Sequence, residues 1–134
     1  MYNLFISHSW AYSDSYDRLI FLLNNAQWFE YKNYSVPRSN PIHNAPSPAR
    51  LREAIRAQMS PASVIVILAG VYSTYSTWIN EEIDLAMNGF MARKPILAVE
   101  PFGSQRTSMV VKNAADRIVS WNTNSIVSGI RDLS

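Results

Sequence analysis

Ser63-Val64-Ile65-Val66-Ile67-Leu68 is followed, after a short gap, by Tyr75-Ser76-Thr77-Trp78-Ile79-Asn80-Glu81-Glu82-Ile83-Asp84-Leu85-Ala86-Met87. The first run is apolar at consecutive positions and rich in β-branched residues. It lacks the polar alternation of a half-exposed strand and reads as a strand buried on both faces. The second run carries apolar residues at helical spacing. Ile79, Ile83, Ala86, Met87 and Phe90 fall at i, i+4, i+7, i+8 and i+11, which is one stripe. Ser76 or Thr77 supplies an N-cap oxygen. Thr77, Asn80, Glu81, Asp84 and Asn88 make the opposite, wet face. A buried strand feeding an amphipathic helix is the repeating unit of a parallel α/β sheet.

Two acids stand side by side in that helix. Glu81 belongs to the wet face. Glu82 falls on the edge of the apolar stripe, between Trp78 at i−4 and Leu85 at i+3. One reading is a partly desolvated, functional carboxylate behind a strand end. The other is an ordinary acid near a helix N-terminus, favoured by the macrodipole by a few tenths to about 1 kcal/mol. Spacing alone leaves both open.

The same alternation runs along the chain. Tyr2-Asn3-Leu4-Phe5-Ile6-Ser7 predicts a first strand, and His8-Ser9-Trp10-Ala11-Tyr12-Ser13 the turn after it. Ser13 or Asp14 caps a helix with Tyr16, Leu19, Ile20 and Leu23 on its apolar face. Residues 29–36 predict a second strand, and 37–46 a proline-rich polar loop holding Arg38 and His43. Ser47-Pro48 opens a helix with Leu51, Ala54, Ile55, Gln58 and Met59 inward and Arg50, Arg52 and Arg56 mostly outward. After the opening unit, residues 95–99 predict a fourth strand, 108–116 a short helix, 117–121 an edge strand, and 122–133 a closing helix. The expected fold is therefore α/β. It is a flavodoxin-like three-layer sandwich with an about five-stranded parallel sheet and helices on both faces, in one domain over residues 1–134. Ligands in such sheets bind beyond the carboxyl ends of the strands. Three segments would meet there: 7–13, 37–46 and 70–78.

Composition bounds the function. With 134 residues, 48% hydrophobic and 16% charged, the chain has the makings of a core and not of a disordered tail. No run approaches the ~18 apolar residues of a membrane span. No secretory signal is visible, and a chain without cysteine is compatible with a reducing, cytoplasmic setting. A net charge of +2 with scattered Lys and Arg argues against nucleic acid as partner. Two histidines, His8 and His43, without cysteines or clustered acids do not make a metal site. Gly70, Gly89, Gly103 and Gly129 form neither a dinucleotide fingerprint nor a P-loop. A phospho-acceptor receiver needs acids where this chain has Ser7-His8 and Leu68-Ala69-Gly70.

Leu4-Phe5-Ile6-Ser7-His8 resembles the first-strand box of TIR domains. Ser76-Thr77-Trp78-Ile79-Asn80-Glu81-Glu82-Ile83 resembles their third-helix box, in which a Trp lies four residues before a Glu. The proline-rich loop matches theirs in position. The resemblance spans essentially the whole chain and is closest to short bacterial and archaeal TIR-like proteins, including the TIR subunit of Thoeris anti-phage systems. It departs from the animal pattern at Asn3 and in lacking Pro-Gly in the loop, which bears more on adaptor-type signalling than on catalysis.

The resemblance implies cleavage of the nicotinamide–ribose bond of NAD, with NAD as substrate and no further cofactor. The product would be ADP-ribose, a cyclic isomer or a conjugate, read by a separate effector protein. It also implies self-association through TIR–TIR contacts. Glu82 takes the family's catalytic position and Trp78 its Trp, a candidate substrate-binding residue that is part core and part pocket wall. One carboxylate suffices on chemical grounds, because nicotinamide leaves as a neutral base from a cationic one and needs no general acid, unlike a sugar leaving oxygen. A charge pair ~4 Å apart at an effective dielectric of ~20 contributes up to about 4 kcal/mol, roughly a thousandfold in rate. Ser7, His8, Ser9 and Trp10 are candidate substrate-binding residues, as hydroxyls and helix N–H groups suit ribose and phosphate; Arg38 would meet pyrophosphate. The alternatives are ordinary turn or cap chemistry for Ser7 and Ser9, a satisfied structural histidine for His8, cover of the sheet edge in place of stacking on a base for Trp10, and a solvated loop for Arg38. Two other functions stay open: a catalytically silent TIR-like interaction module, and a nucleoside deoxyribosyltransferase-like enzyme with its single essential Glu.

Overall fold

The computed structural model describes residues 1–7, 15–35, 47–69, 77–100 and 109–134. Strand and helix alternate: β1 (Tyr2–Ile6), α1 (Ser15–Asn24), β2 (Tyr31–Asn33), α2 (Pro48–Met59), β3 (Val64–Leu68), α3 (Thr77–Asn88), β4 (Ile96–Val99), α4 (Met109–Ala114), β5 (Arg117–Val119) and α5 (Thr123–Leu133). The strands form one sheet in the order β2-β1-β3-β4-β5, and every pairing is parallel. This is the flavodoxin-like α/β fold that the alternation predicts. The order reverses between β1 and β3, so the ligand crevice of such a sheet lies above that pair.

Every residue of β3 and β4 is buried, as a sheet covered on both faces requires. The two-residue period sorts their side chains into two cores. Val64, Val66 and Leu68, with Leu4, Ile6, Leu97 and Val99, pack against Leu19 and Leu23 of α1 and Ile126 and Ile130 of α5. Ile65, Ile67 and Ala69, with Phe5, Ile96 and Ala98, pack against Ile55 and Met59 of α2, Ile79, Leu85 and Ala86 of α3, and Val111 of α4. Each such large side chain removed from water contributes about 1.5–3 kcal/mol. On the first face α5 comes close to the sheet at Gly129. A Cβ there would sit 2.8 Å from Leu97 Cδ1 and 3.2 Å from Val119 Cγ1.

Helix starts follow the expected chemistry where they are described. Ser47 Oγ accepts from Arg50 N at 3.2 Å ahead of Pro48, and Asn122 Oδ1 accepts from Ser125 N at 2.8 Å. The Ser13/Asp14 and Ser76 caps lie outside the described residues.

Two expectations need correction. The second strand is shorter than residues 29–36. Phe29 turns into the core and stacks on Tyr2 at 5.3 Å, after Trp28 adopts a left-handed φ of 58°. Tyr34 N still donates to Leu4 O at 2.8 Å, and beyond it the Asn33 side chain accepts from Ser35 N at 3.0 Å, a local bond that competes with the ladder. The arginines of α2 do not simply face water. Arg52 donates from Nη1 to Glu81 and from Nη2 to Asp84, both at 2.6 Å, and Arg56 Nε donates to the Gly89 carbonyl at 2.8 Å. Both bind α2 to α3.

Candidate active site

Among the described residues only two polar side chains belong to fully buried residues, Ser7 and Glu82, each at 0% exposure. The fold places them in the same layer. Ser7 N donates to Val66 O at 2.9 Å, so β1 stays in register with β3 one residue past its last assigned position. Phe5 faces the α2–α3 core while Leu4 and Ile6 face the other. Alternation therefore puts Ser7 on the α2–α3 side, at the carboxyl end of the sheet beside the switch point. Glu82 lies in the second turn of α3, the helix that follows the carboxyl end of β3.

The burial of α3 differs from the apolar count in one respect that matters. Ile79, Glu82, Leu85 and Ala86 are buried, whereas Ile83, Met87 and Phe90 are only half-buried. At about 100° per residue, the centre of the buried arc falls next to Glu82. The carboxylate is therefore in the middle of the inner face and not on its edge. Leu85 at i+3 is buried as expected; the Trp78 side chain lies outside the described residues. Glu81 is half-exposed on the wet face with Asp84, where both meet Arg52. Asn88 and Arg52, in that order, hold the Asp84 carboxyl below its usual range by hydrogen bonding to its charged form. The same two acids raise the Arg52 guanidinium above its ordinary value.

Burying a carboxyl group costs free energy even when it is partnered, so a position at the centre of a helix's inner face is not one that packing alone selects. Such costs are characteristic of functional sites. Of the other candidates, His8, Ser9, Trp10 and Arg38 lie outside the described residues. The structure thus brings Ser7 and Glu82 into one layer at one end of the sheet. Sequence reasoning overlooked Glu100 and Lys112. Glu100 follows β4 at that same end, and its carboxylate meets Lys112 of α4 at 3.5 Å. An acid immediately after a buried strand was the available signal. No group of three or more metal-ligating side chains occurs among the described residues. Open depressions lie elsewhere. One of about 370 Å³ is lined by Asp17, Arg18, Phe21, Leu22 and Trp121, residues of the α1–α5 side of the sheet.

A family model described as Thoeris protein ThsB, TIR-like domain, matches residues 5–106. The chain belongs to that family. The match runs from the end of β1 through β4 and includes Ser7 and the α3 box around Glu82. A search of curated proteins found no match. Thoeris systems act against phage, so the TIR-like domain has a TIR-type role in anti-phage defence. No helix among the described residues is long and apolar enough to cross a membrane.

Proposed function

We propose that this TIR-like domain cleaves NAD at the nicotinamide–ribose bond and that Glu82 is the catalytic carboxylate. The observation that carries the reading is the complete burial of Glu82 at the centre of α3's inner face, in the layer that also holds Ser7 at the carboxyl end of β1. As the bond to nicotinamide breaks, positive charge grows on the ribose C1 and ring oxygen. A carboxylate that holds the ribose hydroxyls from a low-dielectric site stabilises that charge more than it would in water. The pyridinium takes the bonding electron pair and leaves as neutral nicotinamide. Water, or a nucleophilic atom of the ADP-ribose itself, completes the reaction and gives a hydrolysed or cyclic product. The Ser7 hydroxyl is a candidate contact to the ribose, and the first-strand turn with Arg38 would hold the remainder of the dinucleotide.

At 0% exposure Glu82 meets no ribose in this conformation. Turnover therefore requires a state in which the groups that cover the carboxylate part and NAD reaches it with α3 in place, and this fits an enzyme held silent until infection or self-association. The released ADP-ribose derivative would serve as the signal for a separate effector. The competing reading, a catalytically silent interaction module, draws on the same closure.

The test is release of nicotinamide from NAD by the purified chain, alone at high concentration and in extract of phage-infected cells. Nicotinamide release that is lost in Glu82→Gln supports the proposal. Release that survives the substitution removes Glu82 from the chemistry, and no release under either condition favours the silent module. Deoxynucleosides supplied in place of NAD test the transferase alternative.

A further inference from the structure

Arg52 sits on α2, yet both of its donor groups end on α3, at Glu81 and Asp84. These two acids flank Glu82 at i−1 and i+2. They are half-exposed, at 43% and 50%, and Arg52 is at 38%. Ion pairs this exposed contribute little to stability. Their geometry is more informative than their energy. The guanidinium fork reaches two carboxylates on one helix, and a rotation of α3 by one residue, about 100°, would break both bonds.

Such a rotation would carry Glu82 off the inner face of α3. The far end of α3 has its own tie: Arg56 Nε to Gly89 O at 2.8 Å, and Lys94 N to Ala86 O at 2.8 Å. The apolar anchors Ile79, Leu85 and Ala86 set the packing depth. Around the turn that carries Glu82, Arg52 is the charged tie from the neighbouring helix.

We propose that Arg52 is a positioning residue for Glu82, a clamp from α2 that fixes the rotation of α3 and so keeps the carboxylate directed into the substrate layer. This rests on the NAD-cleavage reading, but the clamp is measurable without it. The expectations are specific. Arg52→Met lowers kcat for NAD about five- to tenfold, the size of an effect near 1 kcal/mol on the reacting geometry, with KM little changed. Arg52→Lys, which reaches only one acid, recovers part of the loss. Raising salt lowers kcat in the wild type and does little in Arg52→Met, because only the former has an exposed ion pair to screen.

The decisive experiment is a cycle of Arg52→Met, the pair Glu81→Gln with Asp84→Asn, and all three together. Each is assayed for kcat and for hydrogen exchange of the α3 amides at 79–83, at a temperature where every variant is folded by circular dichroism. If the clamp works through the two acids, exchange quickens in both arms and removing Arg52 after the acids changes nothing further. Additive effects, or unchanged exchange at 79–83, overturn the proposal whether or not the protein cleaves NAD. Quickened exchange with Glu82→Gln still active would leave the clamp standing and remove the catalytic assignment.

Discussion

Replacing Glu82 by Met removes a carboxyl group from the inner face of α3 and leaves a chain of similar length that suits both a helix and the core of Ile79, Leu85 and Ala86 around it. Burying a carboxyl costs free energy, and the interactions that Glu82 makes in place offset part of it. Substitutions that relieve the stability cost of a functional residue commonly gain about 0.5–2 kcal/mol, and a gain of that size is expected here. At about 2.1 cal/mol/K of unfolding entropy per residue, 134 residues give about 0.3 kcal/mol/K, so the expected rise in Tm is about 2–7 °C. Calorimetry of wild type and Glu82→Met at neutral pH measures it. NAD cleavage should vanish in the same variant. A carboxylate retained at a cost in stability is the signature of a functional residue. A fall in Tm would refute the reasoning, because it would show that Glu82 is held in place as a structural anchor.

Three further outcomes follow from the packing. Gly129→Val places a branched side chain where a Cβ alone would lie 2.8 Å from Leu97 Cδ1, and should cost about 2–4 kcal/mol in urea unfolding by overpacking and displacement of α5. Asp116→Ala removes the carboxylate that accepts from Ile96 N at 2.7 Å and from Arg93 Nη1 at 2.6 Å. It should cost about 1–3 kcal/mol by leaving the first amide of β4 without that acceptor, read from the urea midpoint. Asp84 has a folded pKa below its unfolded value, so its contribution to stability is present above pH ~3.8 and is lost as pH falls through the folded pKa. The urea midpoint of wild type should therefore exceed that of Asp84→Asn at pH 6, and the gap should close as pH falls through the folded pKa; a constant gap would exclude titration of Asp84 as the cause.

The sheet was legible because β3 and β4 are buried on both faces, a pattern that surface strands do not share. β2 was overextended because Phe29 and Tyr34 read as strand residues by type. Phe29 is instead a core plug reached through the left-handed turn at Trp28, and the ladder to β1 closes on the bond from Tyr34 N to Leu4 O. The placement of Glu82 on a stripe edge came from counting only apolar residues. That count weights Ile83, Met87 and Phe90, which the fold leaves half-buried, and it gives no weight to a buried acid. Its burial was therefore readable only in part, through Leu85 and the family box. The role of Arg52 was hidden for a different reason: facing water and facing another helix look alike in a helical period. The clue was the complementary one, two acids three apart on the wet face of α3 and an arginine on the wet side of α2. His8, Ser9, Trp10 and Arg38 lie outside the described residues, so their assignment still rests on their sequence positions.

Nicotinamide released from NAD in extract of phage-infected cells, compared between wild type and Glu82→Gln at equal protein level, tests the central claim most directly. A low-dielectric carboxylate that contributes about 4 kcal/mol to the transition state predicts a rate ratio of roughly a thousand in favour of wild type. Equal rates would contradict it.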